Sequence, residues 1–423
     1  MIFSLLLYGI SWQEPLRPSE PRFEKQVLTR EFVAEGCCGA DFDRDGHVDV
    51  AAGRYLWFGP DFAQRAAFAA ERENAGGPSK TPYDAANGYS DYFLAFAHDF
   101  DGDGWTDLLI YGLPGEPALV FRNPQRREGL WEAHAIFDVP DGESPDLLDL
   151  DGDKKPELLV HTSGPLASPD APPGTGGRLG YASIDWKQPF GKARFHPITE
   201  RTPENDRRYF RYTHGYGAGD VNGDGRVDLL RPEGWFEQPS ASSEPAAEER
   251  AWRFHAVPFG PPGARGGAQM HAFDVNGDGR NDVVTTYDAH GYGLGWFEQR
   301  ADGSFVEHVI LSATKEESAE RPCFSQLHAL AVADMNGDGL PDLVTGKRFW
   351  AHGPSGDVDP GGPAVLYWFE LRREGEGRAR FVPHLIDDDS GVGTQVTTLD
   401  VDRDGKVDVL VANKKGVCVL RQR

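Results

Sequence analysis

Cysteine is scarce: Cys37, Cys38, Cys323 and Cys418 are the only four in 423 residues. Four do not make a disulfide framework, and they read as buried free thiols. No stretch is apolar for long enough to span a bilayer. Sustained 3.6-residue apolar periodicity is missing too, so no long helix is expected. Positive charge is outweighed, with 43 Lys and Arg against 67 Asp and Glu and a net charge of −24, which argues against nucleic acid as a partner. There is no Gly-rich phosphate loop, no G-x-S-x-G elbow and no H-E-x-x-H zinc helix.

What the chain has instead is glycine (51), proline (31) and many aromatic residues, as many short strands joined by tight turns require. One pattern, D-x-[DN]-x-D-G-x-x-D, recurs seven times, starting at Asp41, Asp99, Asp149, Asp220, Asp274, Asp334 and Asp400. Repeats at this period indicate a propeller or a solenoid. A short strand follows each motif, then a second signature (Trp235-Phe236-Glu237, Trp296-Phe297-Glu298, Trp368-Phe369-Glu370) and a third around His255, His308 and His384. With the apolar run before each motif this makes four strands per repeat, which is one propeller blade. The expected fold is therefore all-β, a seven-bladed β-propeller over 23–423. The last repeat stops after its third strand, and segment 23–28 reads as an orphan fourth strand that completes that blade and closes the ring. Residues 1–11 read as a possible signal peptide without a basic leading region, which places the protein outside the cytoplasm.

Positions 1, 3, 5 and 9 of each motif offer hard oxygen ligands that a tight turn gathers around one centre, which suits Ca²⁺. They are Asp41, Asp43, Asp45 and Asp49; Asp99, Asp101, Asp103 and Asp107; Asp220, Asn222, Asp224 and Asp228. Three more sets follow: Asp274, Asn276, Asp278 and Asp282; Asp334, Asn336, Asp338 and Asp342; Asp400, Asp402, Asp404 and Asp408. In the third loop Lys154 replaces glycine and Glu157 replaces the last aspartate, so the weakest binding, or occupation by the lysine ammonium, is expected there. About six or seven Ca²⁺ would act as staples and perform no chemistry. This spacing resembles the FG-GAP/VCBS repeat family, and the resemblance implies a seven-bladed propeller with calcium in such loops.

The opposite face is built from irregular loops at 59–90, 161–177, 199–213, 287–293 and 347–363, where a propeller carries binding chemistry. Glu35, Glu143, His214 and His328 each stand six residues ahead of a motif and are expected around the central funnel, with His290, Lys347, His352, Gln269 and His271 nearby. Imidazoles with carboxylates are usual ligands of Zn²⁺ or a similar ion. His255, His308 and His384 share another register and read as structural.

The phrases Gly142-Glu143-Ser144-Pro145, Thr213-His214-Gly215, Ala289-His290-Gly291-Tyr292-Gly293 and Gly346-Lys347-Arg348-Phe349-Trp350-Ala351-His352-Gly353 resemble a bacterial subgroup of this family. That subgroup is similar to the propeller domain of aldos-2-ulose dehydratase, whose cupin and lectin-like parts have no counterpart here. The resemblance implies one zinc ion held by His214, His290 and His328. It implies Glu143, Lys347 or His352 as base or leaving-group acid. Arg54 or Arg231 would orient a keto-sugar or related carbohydrate, near Gln269, and Tyr92, Phe349 and Trp350 would stack on it. The expected activity is β-elimination by a metal-dependent carbohydrate lyase or dehydratase; the competing reading is a propeller that only binds glycan or protein. Elemental analysis after gentle dialysis should find about six or seven calcium ions and roughly one transition-metal ion per chain. Calcium alone, even after zinc is offered, would leave a binding propeller or a purely structural or adhesive one.

Overall fold

The computed structural model describes residues 21–71, 88–163, 177–240, 251–316 and 322–423. The possible signal peptide at 1–11 lies outside them, as do parts of the loops at 59–90 and 161–177. Among the described residues there are 28 strands and one short helix, Pro203–Arg208. None of the described helices is long and apolar enough to cross a membrane.

The chain folds into an all-β propeller whose strands run as consecutive antiparallel meanders. Each acidic motif joins the first and second strands of its unit. Cys37–Ala40 leads through Asp41 into Asp49–Ala52, and Val396–Leu399 leads through Asp400 into Asp408–Asn413. Strand Phe23–Thr29 pairs antiparallel with Gly416–Gln422, so the N-terminal strand is the outer member of the sheet that ends the chain.

The expected count of seven separate blades is corrected. Five four-stranded blades are present, and the other eight strands form one continuous sheet from Arg253–Ala256 to Phe305–Leu311. The fusion occurs where Gly217–Gly219 runs parallel to Met270–Phe273, pairing Gly217 with Met270 and Ala218 with His271. Glycine allows this approach, because a Cβ on Gly217 would lie 1.9 Å from the Met270 carbonyl oxygen. In the sequence these glycines sit in a repeat like the other six, so the merger has no local signature.

The core lies between neighbouring sheets. Val284 and Trp296 of one unit share a buried cluster with Leu343 and Phe369 of the next. Alternation along the strands sends the other face of each toward the preceding unit. On outer strands, His255, His308 and His384 stack on Trp235, Trp296 and Trp368 at 4.0, 4.1 and 4.3 Å between ring centroids. Each imidazole Nε2 also lies 2.8–2.9 Å from the glutamate two residues after its tryptophan. These three histidines are structural braces.

The ninth position of each motif has a structural role of its own. Asp282 accepts the Val275 backbone N–H at 3.0 Å on one oxygen and that of Gln299 at 2.8 Å on the other. Asp49, Asp107, Asp228, Asp342 and Asp408 make the same pair of bonds within 2.8–3.1 Å. Each such carboxylate therefore clamps its own loop to the third strand or to the residue just after it. Burial pushes Asp49, Asp107, Asp282 and Asp342 up to about 7, against the pull of these amides. Gly217→Val should drive the Met270 strand outward and destabilise the chain by about 2–3 kcal/mol, read by equilibrium denaturation. An unchanged midpoint would show that the parallel pairing bears no load.

Candidate functional site

The irregular face gathers the residues that stand before the first strands. Backbone bonds running from unit to unit hold them in place. Glu35 N–H donates to Tyr92 O at 2.9 Å, Glu143 N–H to Thr213 O at 3.0 Å, and Thr394 N–H to Glu35 O at 2.8 Å. Side chains far apart in sequence are thereby pointed at one axis.

His214, His290 and His328 meet there. One ring nitrogen of each lies within 4.8 Å of the other two, and the ring centroids are 4.9–5.3 Å apart. His290 Nε2 stands 3.2 Å from His214 Nε2. Burial, followed by the positive fields of His290 and Arg348, holds the His214 imidazole well below its ordinary pKa. Burial and Arg348 do the same to His328. Neutral imidazoles are the form that ligates metal.

The second contacts of the rings orient them for that task. His290 Nδ1 lies 3.1 Å from Asp357 Oδ1 and His328 Nδ1 lies 3.2 Å from Gln326 O. Protons on both Nδ1 atoms leave the Nε2 lone pairs free, the carboxylate–histidine and carbonyl–histidine arrangement of metal ligands. His328 Nε2 and His214 Nδ1 are buried without a hydrogen-bond partner in the protein. Tetrahedral zinc with Zn–N bonds of 2.0–2.1 Å sets ligand nitrogens about 3.3–3.4 Å apart. The 3.2 Å separation of His290 and His214 is close to that edge. These three residues therefore fit a zinc-type ion.

Two side chains hold the periphery. Arg348 is buried; its Nε donates to Glu35 Oε2 at 3.2 Å and its Nη1 to Glu143 Oε2 at 3.1 Å. Burial opposes its charge, but Glu35 and Glu143 outweigh that and push its pKa up. Glu143 keeps its other oxygen, Oε1, 4.0 Å from His214 Nε2. Asp357 Oδ1 is shared by the Nδ1 atoms of His290 and His352, the second at 2.8 Å. Burial would raise Asp357, yet hydrogen bonds from both histidines hold it well below the usual carboxylate range.

This cluster forms part of the wall of a cavity of about 950 Å³, to which Glu143, His214, Arg231, His290 and His352 all contribute. Tyr89, Phe93, Phe210 and Tyr212 supply an aromatic lining. Other residues expected at the site lie elsewhere. Lys347 does not line the cavity: its buried Nζ donates to Ser325 Oγ at 2.8 Å and Asp359 O at 2.7 Å, and burial lowers its pKa to about 8. Gln269 staples neighbouring units, accepting Leu330 N–H and donating to Thr394 O. Arg54 donates to Ala69 O and covers Tyr55. Tyr92 packs edge-on against Phe68. Phe349 and Trp350 stack on one another, and Trp350 Nε1 donates to Pro360 O. None of these six lines the cavity.

Sequence reasoning assigned no role to Arg348 or Asp357. Arg348 lies inside a phrase singled out by resemblance, but nothing local marks it as the partner of Glu35 and Glu143. Asp357 lies in an irregular loop with no repeat register.

In the acidic loops, the first aspartate accepts the N–H of the sixth residue, as Asp220 does from Gly225 at 2.8 Å. Lys154 takes the glycine place with φ 71° and donates its N–H to Asp149 Oδ2 at 2.8 Å. Asp41 Oδ1 and Asp402 Oδ1 are buried without a hydrogen-bond partner in the protein. Acceptors left in that state suit a hard cation, so these loops fit calcium. Arginine answers part of the charge in the first loop, where Arg127 pairs with Asp43 and Asp45.

Residues 99–160 and 258–345 match an FG-GAP-like repeat model. No curated protein gives a significant match. An Agrocybe aegerita lectin with specific recognition of non-reducing terminal N-acetylglucosamine superposes with a TM-score of 0.45 at 13% identity, covering 95% of this chain and 85% of the lectin. BBS1N from its complex with ARL6DN gives 0.49 at 8%, covering 96% and 97%. Rhamnogalacturonan lyase YesW gives 0.41 at 11%, covering 96% and 74%. At such values nothing about ligands or chemistry carries over.

Removing Arg348 alone would strand two carboxylates at the axis. Arg348→Met should cost about 3–5 kcal/mol at pH 7, measured by denaturation, with much of the loss recovered by adding Glu35→Gln. A near-neutral single variant would mean that water already screens the pair.

Proposed function

We propose that the protein is a calcium-braced, extracytoplasmic propeller that binds a zinc-type ion through His214, His290 and His328 and acts there on a saccharide as a carbon–oxygen lyase. The observation that supports it most is the convergence of His214, His290 and His328, with the His352–Asp357 pair beside them, at the wall of a cavity that His214, His290 and His352 line. A structural brace would not need ring nitrogens without partners beside a half-exposed imidazole.

When bound, the ion would polarise a carbonyl of the sugar and acidify the neighbouring C–H. Asp357 holds His352 through Nδ1, which leaves the Nε2 lone pair to accept that proton. Glu143 is anchored by Arg348 through Oε2, and its remaining oxygen faces the histidines, where it would accept a hydrogen bond from a sugar hydroxyl, while the proton that His352 has taken would pass to the departing oxygen. The C–H pair becomes the new C=C bond as the C–O bond breaks, so water or an alcohol leaves and nothing is oxidised. The aromatic wall offers ring faces for stacking on a sugar and keeps water from the intermediate.

His214→Ala should abolish stoichiometric zinc without loss of fold. The zinc-loaded wild type should convert a keto-sugar to an unsaturated product absorbing in the ultraviolet, and His352→Gln should slow this by about 10²–10⁴-fold while keeping the ion. Zinc retained in full by the His214 variant would overturn the metal assignment. Saccharide binding with no product from any keto-sugar tested would leave a binding module in place of a lyase.

A further inference from the structure

Arg231 closes the strand Asp228–Arg231 and lines the same cavity as the histidines. Its side chain is 3% exposed and lies 5.4 Å from the Tyr209 ring and 5.7 Å from the Tyr216 ring. Two of its nitrogens, Nε and Nη1, are buried and make no hydrogen bond. Glu233 Oε1 lies 3.9 Å from Nε, too far for a hydrogen bond, and has no hydrogen-bond partner either.

A guanidinium does not shed its proton in a protein, so burial cannot be relieved by neutralisation. The tyrosine faces attract the cation but satisfy none of its N–H groups. Leaving charged donors unpaired costs several kcal/mol unless another group accepts them. The other two arginines on this cavity are already answered. Arg265 forms a fork to Asp288, with contacts of 2.9 and 3.1 Å, and Arg208 binds Glu204 at 2.8 Å. Arg231 is thus packed between aromatic rings with its Nε and Nη1 donors unspent.

We propose that Arg231 is a carboxylate-reading subsite, so that the saccharide taken by this cavity is acidic, a uronate or a uronate-containing chain. The planar fork of a guanidinium matches a planar carboxylate in two parallel hydrogen bonds. The assignment rests on the reading of the cavity as a saccharide site, and it is independent of whether the sugar reacts. It narrows the substrate class from any keto-sugar to one that carries a negative charge placed by Arg231.

The test compares uronates with their own methyl esters, which keep the ring and remove the charge. Glucuronate, galacturonate and mannuronate, each against its ester, are titrated into the zinc-loaded full chain and followed by arginine Nε resonances in NMR. At least one acid should bind about ten-fold or more tighter than its ester, shifting one buried arginine signal. Arg231→Gln should erase the preference, and Arg231→Lys, which keeps the charge and the packing volume, should retain part of it. The preference should persist in His214→Ala, so loss of the metal reading and loss of this one are separately visible. No ten-fold preference in any pair, absence of binding included, overturns the proposal. So does a preference that survives Arg231→Gln.

Discussion

Every repeat depends on one buried carboxylate. The aspartate at the ninth motif position is fully inside the sheet, and its two oxygens each take a backbone N–H from a different segment. Those amides would otherwise be unpaired in the core, so the aspartate solves a backbone problem before it serves any ion. It also ties the acidic loop to the third strand of its unit or to the residue that follows it. Glutamate at position 157 preserves only one of these bonds, to Leu150 N at 3.0 Å. The third repeat is therefore the one whose loop is least firmly clamped.

From that scaffold the axial residues inherit their positions. Charges there are arranged in opposition: Arg348 stands between Glu35 and Glu143, while the histidines beside it are kept neutral by burial and by its field. A cation fixed next to imidazoles discourages their protonation, which preserves lone pairs for a metal. Asp357 works in the same direction from the other side, taking a proton-bearing nitrogen from two rings at once. Removing either side chain would disturb the tautomers of the whole group and not one contact alone.

The motif period, the four strands per unit and the place of the acidic loops were legible because they depend on local spacing, which recurs in phase. His214, His290 and His328 were legible by their positions in irregular loops and at strand entries. Lys347 and Arg348 show where local reading fails. They are neighbours of like charge, yet one reaches out to Ser325 and Asp359 and the other inward to Glu35 and Glu143. In extended chain, adjacent side chains leave on opposite faces, and composition does not say which face is the axis. Gln269 likewise has the residue type of a sugar ligand, but its amide is consumed by Leu330 and Thr394.

The amino-acid sequence by itself determined an all-β chain of repeating four-strand units with acidic turns, because turn chemistry and strand alternation act over fewer than ten residues. Tertiary structure alone decided that two units merge into an eight-stranded sheet, since this turns on how closely Gly217 approaches Met270 fifty-three positions later. It also decided which of several polar residues face the cavity, and that Arg231 arrives there with its Nε and Nη1 donors unpaired. Those outcomes depend on distances between segments that no local pattern encodes, and only the closing of each unit against the next sets them.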